Sequence, residues 1–386
     1  MFSNDSFIYS FYVVGLTMVC MIMFAAPYFN SFSSQGSAQI KINKESRIIS
    51  LILLSLVFSI VFGMRWRFGT DYPTYLRIFL LNDTGPYKSE WLFKFINDCL
   101  YEFNVHYWIY FGIAAFIQIF LLFYTLKNEA YLWVFLILSL FGGLFFFDWM
   151  NGMRQELASC VMLFGTNYII KKDPLKYLLC IIIATGFHIS ALIFLLMYPL
   201  LYRGKSIVPS RRIQILMLVI CAAVPLLVGD FLTRLFPILD LMQQMEGEGG
   251  YASRYNENVL QKYSDETNIG IMFYIFFGIN SLIICYSSKL KKYFSGRRIL
   301  IYYNMYFWGM IFETLLASNM VLVRPFRYFR IYKLIMIAYL LYYFYKHPTR
   351  LTTTLLVTII AILVVCMGIK VYTAPFNFFF DVPEAP

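Results

Sequence analysis

Several stretches of the chain hold arginine, aspartate and histidine where apolar sequence alone gives no reason for them. "GMRWRFGTDYPTYLRIF" (63–79) sets Arg65, Arg67 and Asp71 at the end of an apolar run, with Tyr72 and Tyr75 behind them. "DWMNGMRQELA" (148–158) takes Arg154 and Gln155 into the next run, and "VRPFRYFRIYK" (323–333) opens another with Arg324, Arg327 and Arg330. Planar guanidinium forks match phosphate oxygens bidentately, so this set suits a phosphate or pyrophosphate at a membrane surface. An arginine inside a span costs roughly 2.5–3.5 kcal/mol even on the mildest insertion scale, and several on one side call for a compensating anion. Arg324 and Arg327 lie three apart and share a helix face. His188, in "GFHISALI" (186–193), is the candidate base. An imidazole with an ordinary pKa of about 6.5 can take a proton from a hydroxyl, and Asp71 is the competing base.

Each residue also has a structural reading. Arg65 and Arg67 can snorkel at a helix end and pair with Asp71. Arg154 can be satisfied by Asp148 or Glu156, and Arg327 or Arg330 by Glu313. A lone intramembrane histidine is often a hydrogen-bonded packing residue. Three independent arginine clusters on one face favour the anion site.

Composition says what must position them. Of 386 residues 60% are hydrophobic and only 14% charged, which is the make-up of an all-α polytopic membrane protein. The net charge of +11 comes from lysines and arginines scattered between apolar runs, so it is no nucleic-acid footprint. Seven cysteines without a CxxC pair argue against a disulfide framework. Apolar runs long enough for a ~30 Å hydrocarbon core fall near 7–27, 47–63, 107–126, 130–147, 152–170, 177–202, 213–233, 269–288, 299–318, 325–345 and 351–372. They predict about 11–12 transmembrane segments in a single domain over 1–386. Basic loops at Lys41, Lys44 and Arg47, at Lys171, Lys172 and Lys176, and at Lys289 to Arg298 belong in the cytoplasm.

The run 177–202 breaks the alternation, because Arg203, Lys205, Arg211 and Arg212 follow it. One tilted helix would put that cluster outside. Two short helices meeting near 186–190 keep it inside, with both termini outside and His188 at the floor of an outward-facing cavity; such broken backbone is tolerated only where protein encloses it. The loop 238–268 is then outside, and Tyr251 and Tyr255 share a helix face there for stacking on sugars; an amphipathic helix on the bilayer is the equal alternative. No DxD pair, glycine-rich phosphate loop, HExxH or GxSxG motif occurs, so metal-independent chemistry on a lipid-borne substrate is expected, with no cofactor.

"RFGTDYPTY" (67–75), "NGMRQELA" (151–158), "GFHISALI" (186–193) and "RPFRYF" (324–329), in that order, resemble the EpsG-like branch of the Wzy-type polysaccharide polymerases over roughly 60–330. The resemblance implies a GT-C-like architecture similar to O-antigen ligases. It also implies a glycosyltransferase of the bacterial inner membrane that joins undecaprenyl-pyrophosphate-linked repeat units on the extracytoplasmic side. Arg154, Arg324 and Arg327 would then engage pyrophosphate, assisted by Arg65, Arg67 and Arg330. Tyr72, Tyr75, Gln155, Glu313, Tyr251 and Tyr255 would be glycan contacts, and His188 and Asp71 the catalytic candidates. Partners would be the lipid-linked oligosaccharide as donor and acceptor, the bilayer, and as an open question a chain-length regulator. A lipid-linked oligosaccharide flippase and a membrane acyltransferase are the rival readings.

Overall fold

The computed structural model describes residues 4–32, 43–85, 89–227, 270–318 and 323–381; the loop 238–268, with Tyr251 and Tyr255, lies outside them. Helices α1 (Asn4–Ala25), α2 (Lys44–Gly63), α5 (Tyr107–Thr125), α12 (Ile271–Tyr293) and α15 (Arg350–Thr373) form where the apolar runs contain few charges. Among the described residues these five are long and apolar enough to cross a bilayer. Helices α8 (Met153–Lys171), α13 (Arg297–Leu315) and α14 (Arg330–Lys346) are more polar and run inside the bundle. Helix α14 is buried on nearly every side, so its tyrosines and charges face protein rather than lipid.

The run 130–147 does not make one straight span. It folds as a 3-10 turn, α6 (Trp133–Gly142) and α7 (Phe145–Asn151), with a bend of 64° and Leu144 in left-handed backbone at φ 65°. The bend turns Asp148 toward Arg330 and Asn151 toward Thr70. Between α2 and α5 lie α3 (Tyr72–Leu81) and α4 (Trp91–Glu102), two short helices that hydropathy alone leaves unassigned. Helices α2 and α5 approach closely because Gly63 abuts Gly112, where a Cβ would come within 2.8 Å of the opposing backbone. There the Ser59 hydroxyl donates to the Gly112 carbonyl at 2.7 Å, a small-residue contact of the kind that packs membrane helices.

The stretch 174–201 is the expected hairpin. Helix α9 (Pro174–Phe187) ends at His188 in extended backbone, a 3-10 segment Ile189–Leu196 returns, and α10 (Met197–Leu201) completes it. The Tyr177 hydroxyl donates to the Phe194 carbonyl at 2.9 Å, and the Tyr177 and Tyr198 rings lie 5.3 Å apart, so the arms run antiparallel about residues 186–188. The basic clusters therefore meet at one end of the bundle. Arg297 bonds the carbonyls of Ile169 and Tyr202, Asn304 bonds that of Lys205 at 2.8 Å, and α11 (Arg211–Leu227) starts with Arg211 on the Cys285 carbonyl at 3.3 Å. At the opposite end β1 (Arg65–Trp66) pairs antiparallel with β2 (Asn377–Phe378), and Tyr9 bonds Asp381 at 2.9 Å. Both ends of the described chain thus lie away from the basic loops.

Single cysteines placed at 172, 205 and 292 of a cysteine-free protein should react with an impermeant thiol reagent from one side of the membrane, and those at 70 and 378 from the other. Labelling of position 205 together with 70 would mean that 177–202 crosses once.

Candidate active site

The end of the bundle away from the basic loops gathers four segments that are distant in the chain. The loop 64–71 is held against the start of α8, because Asn151 Oδ1 accepts from the Thr70 hydroxyl and the Asp71 backbone N–H, both at 2.9 Å. Gln155 Nε2 donates to the Arg324 carbonyl at 2.6 Å, and the Ser159 hydroxyl to that of Tyr328 at 2.9 Å. These bonds lay the turn Arg324–Phe329 along α8. That turn is a 3-10 helix, in which residues three apart eclipse, so Arg324 and Arg327 share a face as expected. From the hairpin tip Ser190 hydrogen-bonds the Tyr328 hydroxyl at 2.9 Å.

At the centre is a residue that sequence reading did not single out. Glu90, just before α4, is 4% exposed and uses both carboxylate oxygens: Oε2 takes Arg154 Nη1, and Oε1 lies 2.5 Å from His188 Nδ1. Gly186 makes this possible, since Trp91 and Leu92 press so closely on it that a Cβ would stand 2.8 Å from each. Arg154 is thus paired with Glu90, and its guanidinium lies 5.8 Å from the Tyr75 ring and 5.4 Å from that of Phe93. Asp71 sits at the exposed rim in the field of Arg324, Arg154 and Arg327. The enclosing chain raises its pKa, and the three guanidiniums oppose that rise.

Beside this cluster, α7, α12, α13, α14 and α15 enclose a cavity of about 500 Å³. Asn151, Arg327, Arg330, Lys333 and Lys370 line it with Asp148 and Glu313, and Phe273, Phe276 and Phe277 form an aromatic wall. His188, Glu90 and Arg154 are not among its lining residues. Arg330 is bound by Glu313 at 2.5 Å and by Asp148 at 2.7 Å, and Lys333 by Glu313 at 3.0 Å.

Other expected site residues lie elsewhere. Arg65 is 1% exposed, donates to the carbonyls of Phe62 at 2.5 Å and Met150 at 3.3 Å, and packs 4.4 Å from the Phe111 ring. Tyr72 is fully buried and stacked on Phe111 at 4.7 Å. The structure thus places both beneath the loop, packed on Phe111. Arg67 is exposed, at φ 49°, with its guanidinium 5.4 Å from the Trp66 ring. Glu313 is held between its two cations and reaches the cavity. Among the described residues no group of three or more His, Cys, Asp or Glu side chains is arranged to hold a metal ion.

Arg330→Ala should destabilise the protein by about 3 kcal/mol, the low end for breaking a buried ion pair, because 23% of its side chain remains exposed. Thermal unfolding in detergent reads this, and an unchanged midpoint would show that Asp148 and Glu313 need no partner there.

A family model described as EpsG family matches residues 48–381 of the chain. No curated protein and no solved structure matches it.

Proposed function

Because the chain belongs to the EpsG family, a Wzy-like family of polysaccharide polymerases, we propose that it joins repeat units carried on undecaprenyl pyrophosphate at the extracytoplasmic face of the bacterial inner membrane. The growing chain is the donor. A hydroxyl of the acceptor repeat unit attacks the donor's anomeric carbon while the bond from that carbon to the phosphate oxygen breaks. The hydroxyl proton passes to His188, and polyprenyl pyrophosphate leaves. Arg324 and Arg327 stabilise the negative charge developing on the leaving group, with Arg154 behind them. Guanidiniums then do what a divalent cation does in metal-dependent transferases, and the reaction needs no metal. Asp71 orients Arg324 or the acceptor sugar, and the aromatic wall of the cavity receives glycan.

The observation that carries this reading is the meeting of His188, Arg154, Arg324 and Asp71, from four separate segments, at one rim opposite the basic loops. By the positive-inside rule those loops are cytoplasmic, and the rim faces outward.

In liposomes supplied with lipid-linked repeat units, the protein should lengthen the glycan into a ladder. Movement of the lipid across the bilayer without new bonds would mean a flippase, and acylated units of unchanged sugar number an acyltransferase. His188→Ala should cut turnover by about 10²–10⁴, the usual share of general-base catalysis, with donor binding retained. Arg324→Ala should cost on the order of 2.7–4 kcal/mol of transition-state stabilisation, by analogy with the loss of one oxyanion donor. Arg324→Lys should restore little, because an ammonium lacks the bidentate fork. Full polymer from both alanine variants would remove the site from this rim.

A further inference from the structure

The buried carboxylate of Glu90 stands between the two groups that the proposed reaction needs most. Its Oε1 lies 2.5 Å from His188 Nδ1, and its Oε2 takes Arg154 Nη1. The charged and titratable neighbours of His188 come from every element around it: Glu90 ahead of α4, Arg154 at the start of α8, and Arg324 and Tyr328 from the 3-10 turn, whose tyrosine ring is 6.4 Å away. Glu90 supplies the anion in direct contact with the imidazole. Arg154 also stands in the first turn of a 19-residue helix, where the backbone dipole already puts positive charge, so without Glu90 two cations and a positive helix end would crowd the histidine.

Resting on the reading of His188 as the base, we infer that Glu90 is a positioning residue that fixes which nitrogen of His188 faces the acceptor. An ionised carboxylate can only accept, so the contact at Nδ1 requires the proton there and leaves the Nε2 lone pair free for the acceptor hydroxyl. When that proton arrives on Nε2, both ring nitrogens carry hydrogen, and the Glu90 charge stabilises the imidazolium without taking a proton itself. After polyprenyl pyrophosphate leaves, His188 gives the Nε2 proton to water and returns to the neutral form with its proton on Nδ1. The same carboxylate holds Arg154 against the hairpin tip, so base and cation keep a constant separation.

The test is a double-mutant cycle on the purified full chain in liposomes, with radiolabelled lipid-linked repeat units extracted from the producing cells as substrate. Glu90→Gln keeps the side chain's size, but its amide can donate to Nδ1 and so favour the tautomer whose Nε2 bears a proton. Its kcat should fall about 10²-fold or more, with donor KM changed only a few-fold. In a His188→Ala background the same substitution should cost far less, because only its hold on Arg154 is left to lose. Glu90→Asp, which keeps the charge, should recover part of the loss. Three results overturn the inference: wild-type kcat in Glu90→Gln, a loss confined to donor KM, or an equal loss in the His188→Ala background. The single variant His188→Ala separates the two levels. If its turnover is normal, the base reading falls and Glu90 with it; if its turnover is low while Glu90→Gln is normal, only the role of Glu90 falls. Folding is checked by the amount of monodisperse protein recovered for each variant.

Discussion

An unpaired charge inside a helical bundle costs several kcal/mol, and removal of one partner from a buried pair costs about 3–5 kcal/mol. That penalty organises this molecule. Glu90 meets Arg154 and His188, Glu313 and Asp148 meet Arg330 and Lys333, and Glu129 meets Arg298 at 3.1 Å. Arg330 and Asp148 stand 182 positions apart, Arg298 and Glu129 169, and Arg154 and Glu90 64. Each pair fixes one helix against another, because a slip by a turn would leave both charges in apolar surroundings. Helix α14, enclosed on nearly all sides, is set in register this way at its first turn. The same anchoring sends Arg330 into the cavity beside Arg327.

The hairpin decides how deep the site lies. Helix α9 has 14 residues, about 21 Å at 1.5 Å per residue, and cannot reach across a ~30 Å core. Its tip therefore stops below the surface, where His188 meets Glu90 and where Ser190 ties the return arm to Tyr328. The extended backbone at His188 is sheltered by protein on several sides, the condition under which broken helices persist at membrane depth. A full-length helix here would carry position 188 away from Arg154.

Much of the candidate site was legible because its residues violate local expectation. Arginines facing away from the basic loops, a histidine at the middle of an apolar run and an aspartate behind "RWRFGT" all stand out against apolar surroundings. Glu90 did not, since "SEWLF" follows no motif and an acid in a loop between helices is ordinary. The available signal was an acid immediately before an amphipathic, aromatic helix, masked by Lys94 four residues on, which sequence spacing offers as its partner but which the structure pairs with Asp98 at 2.8 Å. The tail "APFNFFFD" likewise carries no pattern, yet Phe376 is fully buried against Phe62 and Phe68, and the tail's strand pairs with Arg65–Trp66. The break in 130–147 escaped hydropathy because both halves are equally apolar. Arg65 and Tyr72 turn inward, which the sequence does not reveal, because a charge or a phenol at a span's end reads the same whether it turns outward or inward.

Hydropathy and charge order along the chain determined the class, the positions of the apolar runs and the end where lysines and arginines gather, and they favoured two arms for 177–202 over one tilted helix. These are local quantities: the transfer free energy of a segment and the sign of the loop beside it depend on neighbours in sequence. Only the tertiary structure decided which charge meets which. Asp148 and Glu156 were nearer in sequence to Arg154 than Glu90 is, yet Asp148 turned to Arg330 and Glu156 was buried in α8. The choice followed from α4 packing on Gly186 and from the bend between α6 and α7, and both depend on side chains fitting across helices that hydropathy treats as independent.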